Sequence, residues 1–346
     1  MNIQEALAVV VDGKDLTQDQ MADVMREVMS GETTDAQIGG FLVGLRVKGE
    51  SIEEIAGAAQ VMRDMATPVD VSGPHLVDMV GTGGDGANLF NISTACTFVV
   101  AAAGAKVAKH GNRGVSSSSG SSDVLEELGM PLDLAPDQVA RAINEVGVGF
   151  MFAPAHHSAM RYAIGPRKEL GMRTLFNILG PLTNPAGVKR QVLGVFDPGL
   201  CKPLAQVLKV LGSEHAMVVH SDDGLDEISI AAGTQVAELK AGSIDCYHIS
   251  PEEFSIQRRN LEGLSVNGAT ASAKLIKQAL SGADSEAASK ARDMLAINAG
   301  ASIYVSGIAA TLSDGVAMAE DALGSGLAGQ KLSEFIDFTQ LMRAQG

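Results

Sequence analysis

The chain has 346 residues and a formal net charge of −15, from 41 Asp and Glu against 26 Lys and Arg. That acidity argues against nucleic acid as the main partner, and an anionic ligand must be held by local cations or metal, not by the overall field. With 46% hydrophobic residues the chain can fill two domains, or one large domain with a small appendage. The cysteines (Cys96, Cys201, Cys246) are widely spaced and never in a C-x-x-C pair, which suits reduced thiols in a cytoplasm. Glu5 and Asp12 stand where a signal peptide would be apolar. The longest apolar run, 98–105, falls far short of a membrane span.

The first 66 residues read as helices only. Thr17-x-x-Gln20, Thr34-x-x-Gln37 and Ser51-x-x-Glu54 are three capping boxes, each opening a helical pattern. Met21, Val24, Met25 and Val28 form an apolar stripe, read as core or subunit interface. From Leu76 onward β-rich runs alternate with helices, at 105–108, 148–152, 191–196 and 215–220. That alternation predicts a mostly parallel sheet covered on both faces. Residues 228–239 and 244–249 suggest a peripheral hairpin. Residues 161–183 read as helical again, a return to the small domain.

The most informative stretch is 76–94, LVDMVGTGGDGANLFNIST. An apolar strand (Leu76, Val77, Met79, Val80) empties into a loop with four glycines in six residues, Gly81, Gly83, Gly84 and Gly86. A helix signal waits at Asn91-Ile92-Ser93-Thr94, with Asn91 as its expected cap. Converging main-chain N–H groups and a helix N-terminus make an anion cradle. Gly81-x-Gly83-x-x-Gly86 formally satisfies the dinucleotide fingerprint, but the helix does not follow directly. The next strand ends in Lys109-His110 and not in an acid for a ribose. The plain alternative is a Gly-rich turn without a ligand.

A second loop, Lys109-His110-Gly111-Asn112-Arg113-Gly114-Val115, runs into Ser116-Ser117-Ser118-Ser119-Gly120-Ser121-Ser122-Asp123. As low complexity it would be a linker. Its place between a strand and a helix stopped by Gly129, with Lys109, Asn112 and Arg113 at its start, favours a binding loop. A third, Asp222-Asp223-Gly224-Leu225-Asp226-Glu227, follows a strand. Alone it is a solvated acidic turn; beside two phosphate-type loops, Asp226 and Glu227 suit Mg²⁺, which takes one or two carboxylates plus substrate phosphate oxygens.

These blocks, with Arg167-Lys168-Glu169-Leu170-Gly171 and the following 176–186 stretch FNILGPLTNPA, resemble the anthranilate phosphoribosyltransferase family in order and over nearly the whole chain. Leu89 stands where the family pattern usually has Thr or Ser, and Ser118 where a Lys is common. The resemblance implies a small all-helical N-terminal domain (1–70, completed by helices from about 161–185) and a large α/β domain (71–346) of the nucleoside phosphorylase/phosphoribosyltransferase type. It also implies a hinge cleft and a homodimer through the small domain.

The implied chemistry is displacement of pyrophosphate from phosphoribosyl pyrophosphate (PRPP) by the amine of anthranilate, with no enzyme nucleophile. By the same resemblance, Gly81, Gly83, Gly84, Asp85, Leu89, Asn91, Ile92, Ser93, Thr94, Lys109, Asn112, Arg113, Ser116, Ser117 and Ser121 contact PRPP. Ser93, Asp226 and Glu227 hold magnesium. Gly81, His110, Asn112, Pro154, His157, Met160 and Arg167 form the anthranilate site, Asn112 and Arg167 positioning the substrate. His110 either orients the amine or is a structural neighbour of Lys109, Arg167 has a hinge role as its alternative, and His156 reads as a surface residue. A nucleoside phosphorylase of related fold and a non-catalytic nucleic-acid-binding relative are the rival functions, with a dinucleotide oxidoreductase behind them.

Overall fold

A computed structural model describes residues 1–114 and 118–345 of the protein. The chain opens with helices α1 (Ile3–Val11), α2 (Gln18–Ser30), α3 (Asp35–Lys48) and α4 (Ile52–Asp64). The three predicted capping boxes all form, and Asn2 with Glu5 makes another at α1. The Met21, Val24, Met25 and Val28 stripe is buried.

The sequence then alternates strands and helices: β1 (Leu76–Gly81), α5 (Ile92–Ala102), β2 (Lys106–Gly111), α6 (Ser121–Leu128), α7 (Pro136–Glu145), β3 (Val148–Phe152), α8 (Ala153–His156), α9 (Arg161–Leu170), α10 (Phe176–Leu179), β4 (Arg190–Gly194), α11 (Cys201–Val210) and β5 (His215–Ser221). The antiparallel pair β6 (Thr234–Lys240) and β7 (Ser243–Ile249) follows. Helices α12 (Ala269–Leu280), α13 (Glu286–Ser306), α14 (Leu312–Gly324) and α15 (Leu327–Gln345) close the chain.

The sheet order is β3-β2-β1-β4-β5-β6-β7, the first five strands parallel. The expected hairpin starts only at Thr234. Residues 228–233 turn instead, and Ser229 donates to Asp223 at 2.7 Å. The hairpin is peripheral, as expected, and because β6 pairs with β5 along its whole length it extends the main sheet at its edge.

Side chains alternate across the pleat. Val192, Met217, Val219 and Val236 join the core under α5 and α13, while Leu193, Ala216, Val218 and Leu239 join the core formed with α1–α4 and α11. The helical bundle is thus packed onto one face of the sheet, through α4 against α11, and α9 lies on α2 and α3. Where the chain crosses from bundle to sheet, Thr67 N–H donates to the His156 carbonyl and the His156 ring nitrogen Nδ1 meets the Thr67 carbonyl, both at 2.8 Å. His156 is therefore not a surface residue. It is buried because it pins the crossing segment.

Candidate active site

Chain direction across the sheet reverses between β1 and β4, the position where open α/β sheets bind ligands at the carboxyl ends of their strands. Here Gly81 pairs with Gly194, and Asp226 fills the space above them. A Cβ on Gly81 would run into the Asp226 carboxylate, and one on Gly194 into the Asp226 main-chain carbonyl. Only glycine fits either position. Asp226 in turn accepts a hydrogen bond from Gly83 N–H at 2.6 Å, so the acidic loop and the Gly-rich loop are built as one object. Gly83 and Gly84 carry φ of 66° and 83°, which turns the backbone around that carboxylate.

Three carboxylates converge there. Asp85 accepts from Ala87 N–H at 3.1 Å and faces Asp226. Burial first, and then Asp85, push the Asp226 carboxyl up to about 6. Glu227 accepts from Ser93 N–H at the start of α5, and burial together with Asp226 raises it well above the usual range. Its charge sits at the positive end of the α5 dipole. Beside them the Lys109 ammonium is 2% exposed and reaches Met79 O at 2.7 Å and Ser93 Oγ at 3.2 Å. Among the described residues no cluster of three or more His, Cys, Asp or Glu could hold a metal by itself. Asp226 and Glu227 supply two carboxylates, a set that suits Mg²⁺ completed by substrate phosphate oxygens.

Several residues expected to contact PRPP have protein partners of their own. Lys109 lies beneath the loops, its ammonium committed to the protein. Arg113 pairs with Asp123 at 2.9 Å and Glu126 at 3.1 Å, so its charge is neutralised on α6. Asn91 occupies the N-cap position of α5 but makes no side-chain cap bond; its amide is held by Ser119 and Ser272. Ile92 and Thr94 are buried, and the Thr94 hydroxyl has no partner among the described residues. Leu89 bridges to Ser265 and, half-buried, packs on the large core. Ser121 Oγ donates to Asn112 O at 3.3 Å. Ser116 and Ser117 lie outside the described residues.

The expected amine side is different in kind. His110 and His157 are buried with ring centroids 5.1 Å apart. Each donates one ring N–H to a main-chain carbonyl, His110 to Gly180 and His157 to Thr183. Both Nε2 atoms are without a partner among the described residues. Burial pushes His110 down to about 3 and His157 to about 4, so both are neutral acceptors at pH 7. Arg167, half-buried, lies 5.1 Å from the Phe176 ring centroid; among the described residues no carboxylate pairs with it. Asn112 is exposed, its Oδ1 accepting from Arg113 N–H at 2.8 Å. Pro154 is exposed at the start of α8, and Met160 is half-buried.

Two residues were missed in the sequence. Arg173 donates to the Gly84 carbonyl and stacks 3.9 Å from the Phe196 ring centroid, joining the α9–α10 turn to the Gly-rich loop. It lies between two motif halves, and that was its only signal. Asp78, a buried carboxylate inside β1, accepts from Asn184 at 2.8 Å, and Asn184 also donates to Ala108 O. An acid within an apolar strand was the available cue.

Residues 4–66 match the helical bundle domain of the glycosyl transferase family, and residues 73–329 its a/b domain. An anthranilate phosphoribosyltransferase from Teredinibacter turnerae is 64% identical over 341 residues, covering 99% of this chain and 100% of that protein. The crystal structure of the Thermus thermophilus anthranilate phosphoribosyltransferase superposes with a TM-score of 0.90 at 42% identity, covering 97% of this chain and 99% of that one. The Saccharomyces cerevisiae enzyme in complex with PRPP and Mg gives a TM-score of 0.88 at 27% identity, covering 98% of each chain. The chain belongs to the anthranilate phosphoribosyltransferase family.

Proposed function

We propose that the protein transfers the phosphoribosyl group of PRPP to the amine of anthranilate, giving N-(5-phosphoribosyl)anthranilate and pyrophosphate, a step of tryptophan biosynthesis. The observation that carries this reading is the joining of Asp226 and Glu227 to the Gly-rich loop and to Ser93, with an unpaired Arg167 supplied by α9. A relative solved with PRPP and Mg supports the donor and the metal, and the same yeast enzyme in complex with 4-fluoroanthranilate supports the acceptor.

The donor's C1′–oxygen bond to pyrophosphate breaks as the arylamine nitrogen bonds C1′, through an oxocarbenium-like state. Ser93 would hold one magnesium and Asp226 with Glu227 a second, and the metal would supply positive charge to the leaving pyrophosphate. The chain's own groups align the substrates: Gly81, Gly83 and Gly84 present the turn of backbone, and α5 presents the positive end of its dipole. Arg167 pairs with the anthranilate carboxylate, Asn112 orients it, and Pro154, His157 and Met160 wall its approach. His110 offers a neutral Nε2 acceptor to the amine. An arylamine is uncharged at neutral pH, so alignment and leaving-group stabilisation carry the catalysis without an enzyme nucleophile.

The division into 1–70, with 161–185 returning to the bundle, and 71–346 is supported by α9 packing on α2 and α3. A homodimer through the small domain is supported by Val11, Val47 and Ile164, which are 75%, 82% and 56% exposed on α1, α3 and α9. A cytoplasmic location is consistent with the three free cysteines. No described helix is long and apolar enough to cross a membrane. PRPP-dependent release of pyrophosphate on adding anthranilate tests the reading. Phosphorolysis of a nucleoside, with no consumption of PRPP, would replace it with the phosphorylase alternative.

A further inference from the structure

Residues 264–272, LSVNGATAS, carry no charge and fall outside every motif block. They nevertheless hold the Gly-rich loop from behind. Phe90 N–H donates to Leu264 O at 3.0 Å and Val266 N–H to Asn88 O at 2.9 Å. Ser265 Oγ donates to Ala87 O at 3.1 Å. The serine loop joins the same knot, with Ser118 N–H on Asn88 Oδ1 at 3.0 Å and Ser118 Oγ on Val266 O at 3.2 Å.

At its centre is Ser272, fully buried in α12. A serine early in a helix is most often a cap, but Gly268 holds that position here. The Ser272 hydroxyl reaches a residue 181 positions away in the chain, accepting from Asn91 N–H at 3.0 Å and donating to Asn91 Oδ1 at 2.8 Å. Asn91 Oδ1 also accepts from Ser119 Oγ at 2.9 Å, while Nδ2 donates to Ser119 O at 3.2 Å. Two hydroxyl donors on one oxygen, with the nitrogen on a carbonyl, fix which way the amide faces.

We propose that Ser272 is a positioning residue for the PRPP site. By holding Asn91 it sets the entry to α5, where Ser93 stands, and the serine loop at Ser119, so the two phosphate loops are ordered together. This rests on the PRPP reading above.

The test compares native protein with Ser272→Ala and Ser119→Ala by steady-state kinetics in both substrates, by amide exchange of substrate-free protein, and by Tm as a fold control. Each variant raises KM for PRPP about tenfold, with KM for anthranilate within about twofold, the scale of one hydrogen bond. Exchange quickens in peptides covering both 88–95 and 118–124 in Ser272→Ala, and the double variant is no worse than the poorer single one. An unchanged KM for PRPP, an equal rise in both constants, or faster exchange confined to α12 overturns the proposal. If Ser272→Ala does not fold, Ser119→Ala, which removes a loop hydroxyl, decides by the same criteria. Should native protein not consume PRPP, the functional reading fails on its own, and the exchange comparison still decides the positioning role.

Discussion

The two sides of the site spend their polar groups in opposite ways. On the phosphate side the charges are turned inward: Lys109 is bound to Met79 and Ser93, Arg113 to Asp123 and Glu126, and Asp226 to Gly83. On the amine side Arg167 has no carboxylate, and two histidine Nε2 atoms have no partner among the described residues. At the Gly-rich loop a pyrophosphate with several negative charges would meet buried acids and the exposed Arg173, which is itself bonded to the Gly84 carbonyl. On the reading proposed above, that side needs metal to receive its substrate, whereas the amine side offers a cation to a carboxylated ring directly.

The strongest way to break this contrast is to remove the acids. Asp226→Ala with Glu227→Ala is expected to lower turnover by roughly 10²-fold or more, read by product formation, and to abolish metal-dependent PRPP binding in calorimetry. These carboxylates are not the exposed loop acids that the sequence suggested. Asp226 holds the Gly83 N–H, so its loss also loosens the Gly-rich loop. Near-normal turnover would return the acidic run to a structural turn.

The isosteric pair Asp226→Asn with Glu227→Gln separates charge from shape. Both folded-state values stand above the ordinary carboxylate range, so the stability these groups contribute is present at low pH and lost as pH rises, through about 6 for Asp226. Without metal at pH 7.5 the amide variants should therefore be more stable than native protein, by on the order of 1–3 kcal/mol, while losing turnover. Denaturant melts at pH 7.5 and 5 check this, and the gain should shrink at pH 5.

Arg167→Ala sharpens the other side. It should raise KM for anthranilate by roughly 10–100-fold, the loss of a charge-assisted pair, with little change for PRPP. An equal rise in both constants would make Arg167 a hinge residue. Arg173→Ala, by freeing the Gly84 carbonyl, is expected to raise KM for PRPP by about 3–10-fold and leave anthranilate alone. Smallest is Leu89→Thr. Because Leu89 packs on the core, it should cost about 0.5–2 kcal/mol of stability without tightening PRPP, as thermal melts and PRPP titration would report.

Much of the fold was legible because local rules and burial agreed. Capping boxes set the bundle helices, β5 carries the apolar run Ala216 to Val219 and is buried throughout, and Gly81 marks the end of β1. What failed did so where a side chain's partner lies far along the chain. Asn91 looks like a cap from its neighbours, but Ser272 and Ser119 hold it. Arg113 looks like a phosphate cation until α6 turns Asp123 and Glu126 toward it. His156 sits in a polar-looking dipeptide, and its burial depends on Thr67 crossing from the bundle. The loop positions of the phosphate site were readable by type, while the division of labour among their side chains was set by tertiary contact.

Anthranilate fluorescence tests the central claim most directly, followed in native protein as PRPP is added with and without Mg²⁺. The account predicts loss of fluorescence only when PRPP and Mg²⁺ are both present, with anthranilate binding itself still detectable in a chelator. Equal loss in the chelator, or none with all components present, would contradict it.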